Sequence, residues 1–305
     1  MVVIESHTDE VWKLVDQDAT LEKVATDCAF TEGPIWHPKE QCLLFSDIPN
    51  NARRKYTPDG QMVTTRQPSN KCNGMTYDTN LNLIVCEHIT SSLVMESADG
   101  NRRVLASHFE GKQLNSPNDV CMRADGSIYF SDPSYGRMPV FGEEREQELD
   151  FQGVFRVLPH GGEIELIVER DTYEQPNGLC FSPDESLMYI ADSPRALIDV
   201  YEVSSDGRLC NRQRFAQHIG DGQMEGGIPD GMKCDEFGNI WVSGPKGFWI
   251  FNKGGQHIGT LHIPEHATNL HWGGPDWHTL YIAATTSIYA LRTLVGPHKE
   301  AFMGS

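Results

Sequence analysis

No stretch of this sequence approaches the roughly 18 consecutive apolar residues that a membrane-spanning helix needs. The opening residues, MVVIESHTDEVWKLVDQD, carry charges from Glu5 onward and hold no apolar segment of signal-peptide length. Positive charge is scarce. Lys and Arg together number 25 against 43 Asp and Glu, a net charge of −18. That balance argues against nucleic acid and against anionic membranes as partners, without excluding a small anionic product at a locally positive site. The eight cysteines (Cys28, Cys42, Cys72, Cys86, Cys121, Cys180, Cys210 and Cys234) include no CxxC and no metal-type spacing. Several fall at inward strand positions, so they read as buried free thiols in a soluble, cytoplasmic protein. No linker rich in Pro, Gly or Ser divides the 305 residues. One domain over 1–305 is expected, with 1–19 as a polar extension forming a loop or short helix at the surface.

What the sequence does have is a repeat. Copies begin at Glu32 (EGPIW), Asn73 (NGMTY), Asn118 (NDVCM), Asn177 (NGLCF), Asp230 (DGMKC) and Asn269 (NLHWG), in steps of 39 to 59 residues. Each is followed by an apolar strand, a turn and a second strand rich in aromatic and β-branched residues. The clearest copy is NSPNDVCMRADGSIYFSDPSYG, from Asn115 to Gly136, with an Asp125-Gly126 hairpin. A period of this size built from short strands predicts an all-β, six-bladed β-propeller with one four-stranded blade per copy. The sixth copy has only three strands of its own. The alternating segment 21–30, LEKVATDCAF, is expected to supply the fourth and close the ring, which removes exposed sheet edges.

Strand direction then decides which residues can meet. The six heads (Glu32, Asn73, Asn118, Asn177, Asp230 and Asn269) fall on one face beside the central axis. The loops from second to third strand share that face, and they carry His88, Asp132 and Tyr135. The longest, Gly136 to Gln152, reads either as a lid or as a solvated insertion. Taken singly, an Asn-Gly or Asp-Gly head is a turn signal. Six heads with side-chain oxygen in register, two of them carboxylates and none basic, instead point to a hard divalent cation. Calcium is favoured because no His or Cys stands at a head; magnesium, manganese and zinc rank behind it. His88 could move protons or bind substrate hydroxyls, or simply hydrogen-bond a loop carbonyl. Asp132 reads as a turn cap, Tyr135 as a pocket or packing residue, and Trp36, Trp241, Trp249 and Trp272 as core. The glycine-rich GDGQMEGGIPDG, from Gly220 to Gly231, lies in no βαβ unit and is not a nucleotide loop.

TEGPIW, NSPNDV, DGSIYFSDPSYG, PNGLCFSPD, IPDGMKCDEFGNIW and LYIAATTSIYALR resemble the gluconolactonase, senescence-marker-protein and luciferin-regenerating-enzyme family, nearest its microbial gluconolactonase branch. The resemblance runs through nearly the whole chain in one order. It implies a six-bladed propeller with a central divalent metal, and a hydrolase that opens a small-molecule lactone such as gluconolactone. It further implies Glu32, Asn118, Asn177 and Asp230 as metal ligands, with Asp230 also the catalytic acid/base; direct attack by Asp230 followed by hydrolysis is the alternative left open. Asn73 and Asn269 then contact water or substrate. Animal-type relatives carry an Arg two residues before the third-blade Asn, where it contacts sugar; here that position is Ser116. Two alternatives stand beside lactone hydrolysis: a phosphotriester or fluorophosphate hydrolase on the same oxygen cage, and a non-catalytic calcium-binding propeller. The sequence leaves the oligomeric state open.

Overall fold

A computed structural model of the chain describes residues 3–159, 161–162 and 164–304. Six antiparallel sheets surround one axis. Blade one is built from Thr31–His37, Cys42–Asp47, Ala52–Tyr56 and Met62–Arg66, and blade two from Cys72–Tyr77, Leu83–Glu87, Ser92–Glu96 and Arg102–Ala106. Blade three uses Val120–Met122, Ile128–Asp132, Gly153–Val157 and Glu165–Leu166; blade four uses Pro176–Phe181, Leu187–Asp192, Leu197–Val203 and Leu209–Gln217. Met232–Cys234, Ile240–Gly244, Gly247–Phe251 and His257–His262 form blade five, and Ala267–Gly273, Thr279–Ala284 and Ser287–Arg292 the inner three strands of blade six. The predicted propeller is therefore the observed fold. Helical structure among the described residues is limited to short 3-10 turns, and no helix is long and apolar enough to cross a membrane.

Ring closure follows the sequence expectation. Leu21–Ala25 pairs with Ser287–Arg292 as the outer strand of blade six, with Leu21 opposite Leu291. Alternation along each strand sends one side-chain set to each neighbouring blade, because a blade is covered on both faces. The core is accordingly six apolar clusters, one at each blade-to-blade interface. Seven of the eight cysteines are buried thiols, and only Cys210 is exposed, contrary to a uniform reading of all eight.

The first residues depart from the surface extension expected of them. Ile4–Ser6 adds a fifth strand to blade five, pairing with His257–His262, and a 3-10 turn at Asp9–Lys13 follows. Val11, Leu14 and Val15 sit three and four residues apart, so one turn places them on a common face. All three are buried in the cluster that holds Trp241 and Trp272 between blades five and six. The charges of this segment lie on its other side, which is why its composition reads as solvated. Of the tryptophans read as core, Trp36, Trp241 and Trp272 are buried, while Trp249 is only half-buried.

The long connection after Gly136 is tied down at several points, and its Phe141 lines the cavity described below. Lys71 Nζ donates to the carbonyls of Pro139, Val140 and Gly142 at 3.3, 2.8 and 3.0 Å. Arg137 donates to the carbonyls of Leu114 and Asn115, and Arg145 to the His88 carbonyl and the Ser91 hydroxyl. Leu149 and Phe151 are buried in the cluster between blades two and three.

Candidate active site

The heads are held at the axis by a device that repeats in three blades. The second strand ends in a buried Asp whose carboxylate accepts from backbone N–H groups two and three residues ahead of the head. Asp47 takes the N–H groups of Ala29 and Phe30, ahead of Glu32. Asp132 takes those of Asn115 and Ser116, both at 2.8 Å, ahead of Asn118. Asp192 takes those of Glu174 and Gln175, ahead of Asn177. Asp132 is thus the cap its sequence suggested. In blade five Ser243 takes over: its Oγ accepts from the Asp230 N–H at 2.8 Å and donates to the Ile228 carbonyl.

The glycines that follow the heads do not make turns. Gly178 donates its N–H to the Asp230 carbonyl at 3.1 Å, and a Cβ on Gly178 would lie 2.1 Å from that oxygen. Gly33 has φ +51°, and a Cβ there would lie 2.0 Å from the Asn73 carbonyl oxygen. In four of the six blades (Gly33, Gly74, Gly178 and Gly231) a Cβ at this position would lie within 2.6 Å of the next blade's inner strand, and only a residue without Cβ permits the approach. The Asn-Gly and Asp-Gly heads are therefore inter-blade contacts.

One cavity, with about 420 Å³ of empty space, opens on this face. Glu32, Asn73, Asn118, Asn177 and Asp230 line it, together with His88 and Tyr135. The walls above them are Phe30, Ile48, Phe141, Met224, Ile228 and His266. Asp230 is half-buried, whereas Glu32 is 3% exposed. Asn269 is the one head absent from the lining: its Nδ2 donates to Glu32 Oε2 at 2.9 Å and so orients that carboxylate. Ser116 is also internal, its hydroxyl donating to the Pro133 carbonyl and accepting from the Gly136 N–H.

Three of these heads, Glu32, Asn73 and Asn177, are tied at one end and bare at the other. Asn177 Nδ2 donates to Ser193 Oγ at 3.0 Å, and Asn177 Oδ1 is buried without a partner. Glu32 Oε1 and Asn73 Oδ1 are buried and equally unpartnered. Asn73 Nδ2 lies 3.2 Å from His88 Nε2, and His88 Nδ1 lies 2.7 Å from the Phe141 carbonyl. Those partners fix the His88 tautomer, with the proton on Nδ1 and Nε2 accepting. Burial lowers its pKa to about 4, so the ring is neutral and both nitrogens are occupied. Tyr135, whose hydroxyl is turned toward Ser193, keeps its proton because burial pushes its pKa up.

The carboxylates repel one another. Burial, then the charges of Glu32 and Asp119, push the Asp230 pKa upward; burial and Asp119 do the same to Glu32 against the opposing Asn269 hydrogen bond. Asp119 was missed by the sequence reading, which treated only the first residue of the Asn118-Asp119 pair as a head. It is 3% exposed, and its Oδ2 has no partner. Two buried carboxylates (Glu32 and Asp119) and one half-buried (Asp230) beside bare amide oxygens are unfavourable unless positive charge compensates them. The donor set is all oxygen, as a hard cation prefers; among the described residues no three His, Cys, Asp or Glu side chains stand close enough to hold a metal between them, so amide oxygens such as Asn177 Oδ1 would have to complete the set.

A family model described as SMP-30/Gluconolactonase/LRE-like region matches residues 30–286. This chain belongs to that family. Its relatives include a gluconolactonase of Zymomonas mobilis, 32% identical over 300 residues that cover 92% of this chain and 83% of that protein. Among solved structures, a structural-genomics target aligns over 97% of this chain and 100% of its own, with TM-score 0.89 and 31% identity. A gluconolactonase of Xanthomonas campestris aligns over 95% of this chain and 94% of its own, with TM-score 0.86 and 28% identity. Within the SMP-30/gluconolactonase family the propeller is thus shared end to end, and the cavity occupies its hub.

Proposed function

We propose that this protein is a divalent-metal-dependent hydrolase that opens a lactone to its hydroxy acid. The observation that carries the reading is the set of unpartnered oxygens on Glu32 and Asn177 in one cavity with Asp230 and Asn118. Relatives named for lactone hydrolysis, including the Zymomonas mobilis gluconolactonase, support it. Glu32, Asn118, Asn177 and Asp230 would hold the cation, calcium being the best match to an oxygen-only set. When bound there, the ion supplies a Lewis acid for the lactone carbonyl and offsets the charge of the carboxylates.

The remaining chemistry belongs to side chains. Asp230 is the carboxylate most open to the cavity, and it takes a proton from the water that attacks the carbonyl carbon. As the ring C–O bond breaks, Asp230 returns that proton to the departing alkoxide. Water thereby adds across the acyl–oxygen bond, and the product is an alcohol and a carboxylic acid on one chain. Asn73 and Tyr135 offer an amide oxygen and a hydroxyl to the substrate. His88 acts on Asn73: its acceptor nitrogen holds the amide so that Oδ1 faces the cavity. Asn269 acts in the same way on Glu32. The apolar residues Phe30, Ile48 and Phe141 limit water around the reacting bond.

The test is base uptake in a pH-stat with δ-gluconolactone and a panel of other lactones, on chelator-stripped protein with and without added calcium. Restored turnover on calcium addition is expected, and Asp230→Asn should lose about three orders of magnitude or more in kcat/KM while still folding. An Asp230→Asn variant of full activity, or no lactone turnover under either condition, would end the proposal.

A further inference from the structure

Beneath the heads the hub carries a second ring, and the segment after the last strand enters it. The Gly296 carbonyl accepts from the Glu236 N–H, Pro297 pairs with Asp235, and His298 N–H donates to the Cys234 carbonyl. Phe302 is buried against Tyr77, with ring centroids 5.4 Å apart. These contacts deliver Glu300 to the far end of the axis. Its Oε2 accepts from Thr76 Oγ1 at 3.4 Å, and its Oε1 lies 3.6 Å from His271 Nε2. Glu300 shares its cavity with His271, Cys121, Cys180 and Lys233. Thr76, Cys121, Cys180, Lys233 and His271 come from the inner strands of five different blades, so Glu300 plugs a ring they form.

Lys233 is the one basic side chain in this ring whose charge is permanent, and it stands between two groups of acids. Asp119 and Glu300 are the carboxylates that act most strongly on it, and it in turn acts on Glu32. Asp119 directly follows the head Asn118 and Lys233 follows the head Asp230 by three residues, so the chain leads from the heads to Asp119 and to Lys233, which shares its cavity with Glu300. Neither Lys233 nor Glu300 takes part in the chemistry set out above.

We propose that Lys233 and Glu300, opposite charges in one hub cavity, set how tightly the hub binds its divalent cation. The inference rests on the cation site proposed above and adds two positioning residues that never touch the ion. Lys233 opposes cation binding, and Glu300 cancels part of that opposition. In a poorly solvated hub a unit charge acts over several ångströms more strongly than in water. Removing Glu300 thus weakens cation binding, removing Lys233 tightens it, and removing both returns the affinity toward its starting value.

Calorimetric titration of calcium into chelator-stripped protein reads this directly, without reference to turnover. Glu300→Gln should raise the calcium Kd, and Lys233→Met should lower it, each by about fivefold to tenfold on Coulombic grounds. The double variant should lie within about twofold of wild type, because two opposite effects of similar size add to nearly nothing. Lys23→Met, on the outer strand of blade six, removes a charge far from the axis and should leave Kd unchanged. If Lys233→Met does not fold, the near-isosteric Glu300→Gln carries the test alone. Equal Kd values in wild type and Glu300→Gln, or weaker binding in Lys233→Met, would overturn the pair. Wild-type protein that takes up no divalent cation would overturn the cation site itself, a result distinct from the other two.

Discussion

Asn177 has two amide ends and spends only one on the protein. Its Nδ2 is held by Ser193, which in turn donates to the Pro229 carbonyl, and the oxygen is left bare. Asn73 repeats the arrangement with His88 as its anchor. His88 therefore has a consequence that pH can read. Its ordinary pKa of 6.5 is lowered to about 4 by burial, so the folded state disfavours the charged ring. The stability it contributes is complete above pH 6.5 and is lost as pH falls toward 4. His88→Gln removes this term. The difference in urea-unfolding free energy between wild type and variant should shrink across that window and stay level above it. A difference independent of pH would show that the ring is not held neutral. Sequence alone offered His88 as a proton carrier, a partner for substrate hydroxyls or a loop-bonded ring, and the structure shows the bond to the Phe141 carbonyl. Nothing in the local sequence encodes that contact, because Phe141 lies 53 residues away on the wall.

At the scale of elements, the strands were the most legible part, because alternation and Asp-Gly or Gly-Gly hairpins mark them one by one. The heads were legible as a register but not as a geometry. Six oxygen-bearing residues at the start of six inner strands gave the ring, and by residue type and register alone Asn269 looked no different from Asn177, although the family resemblance set it apart. Packing shows the difference: Asn269 donates to Glu32, and Asn177 leaves its oxygen bare beside the cavity. Of the three capping carboxylates, Asp132 alone was read as a cap; Asp47 and Asp192 end second strands of like sequence (FSD, FSD, IAD), and what each grips lies in a preceding loop whose approach no periodicity reports. The glycines misled, since Asn-Gly is a turn signal unless a neighbouring strand passes within contact distance. Gly178→Ala tests that reading. Its Cβ would collide with the backbone oxygen of Asp230, which cannot rotate away, so a loss of about 2 kcal/mol or more is expected in denaturant unfolding. A neutral substitution would mean that the blades can separate at no cost.

For the whole molecule, closure depends on the start of the chain to a greater degree than its composition suggested. The polar look of the first nineteen residues hid Val11, Leu14 and Val15, whose burial only a one-turn helix makes possible. A second tie reinforces the closing strand: Glu265 accepts from Lys23, Thr286, Ser287 and Tyr289. Burial alone would raise the Glu265 pKa from its ordinary 4.5, but these hydrogen bonds outweigh it and hold the value at about 2. The carboxylate thus adds stability that is complete above pH 4.5 and is lost as pH falls toward 2. Glu265→Gln should narrow its stability gap to wild type through that acid range, as measured by thermal unfolding at stepped pH. A gap that persists unchanged at pH 2 would exclude the tie.

The pairing of Leu21 with Leu291 also sets a timetable for biosynthesis. A nascent chain emerging from the ribosome can complete its early blades one after another, but the circle stays open until the final strand has been made. Until then two sheet margins stand bare in the cell, each able to recruit a stranger's strand. Prematurely terminated products would therefore be sticky rather than partly active, and quality control of this protein falls on the interval between the last blade and the meeting of its two ends.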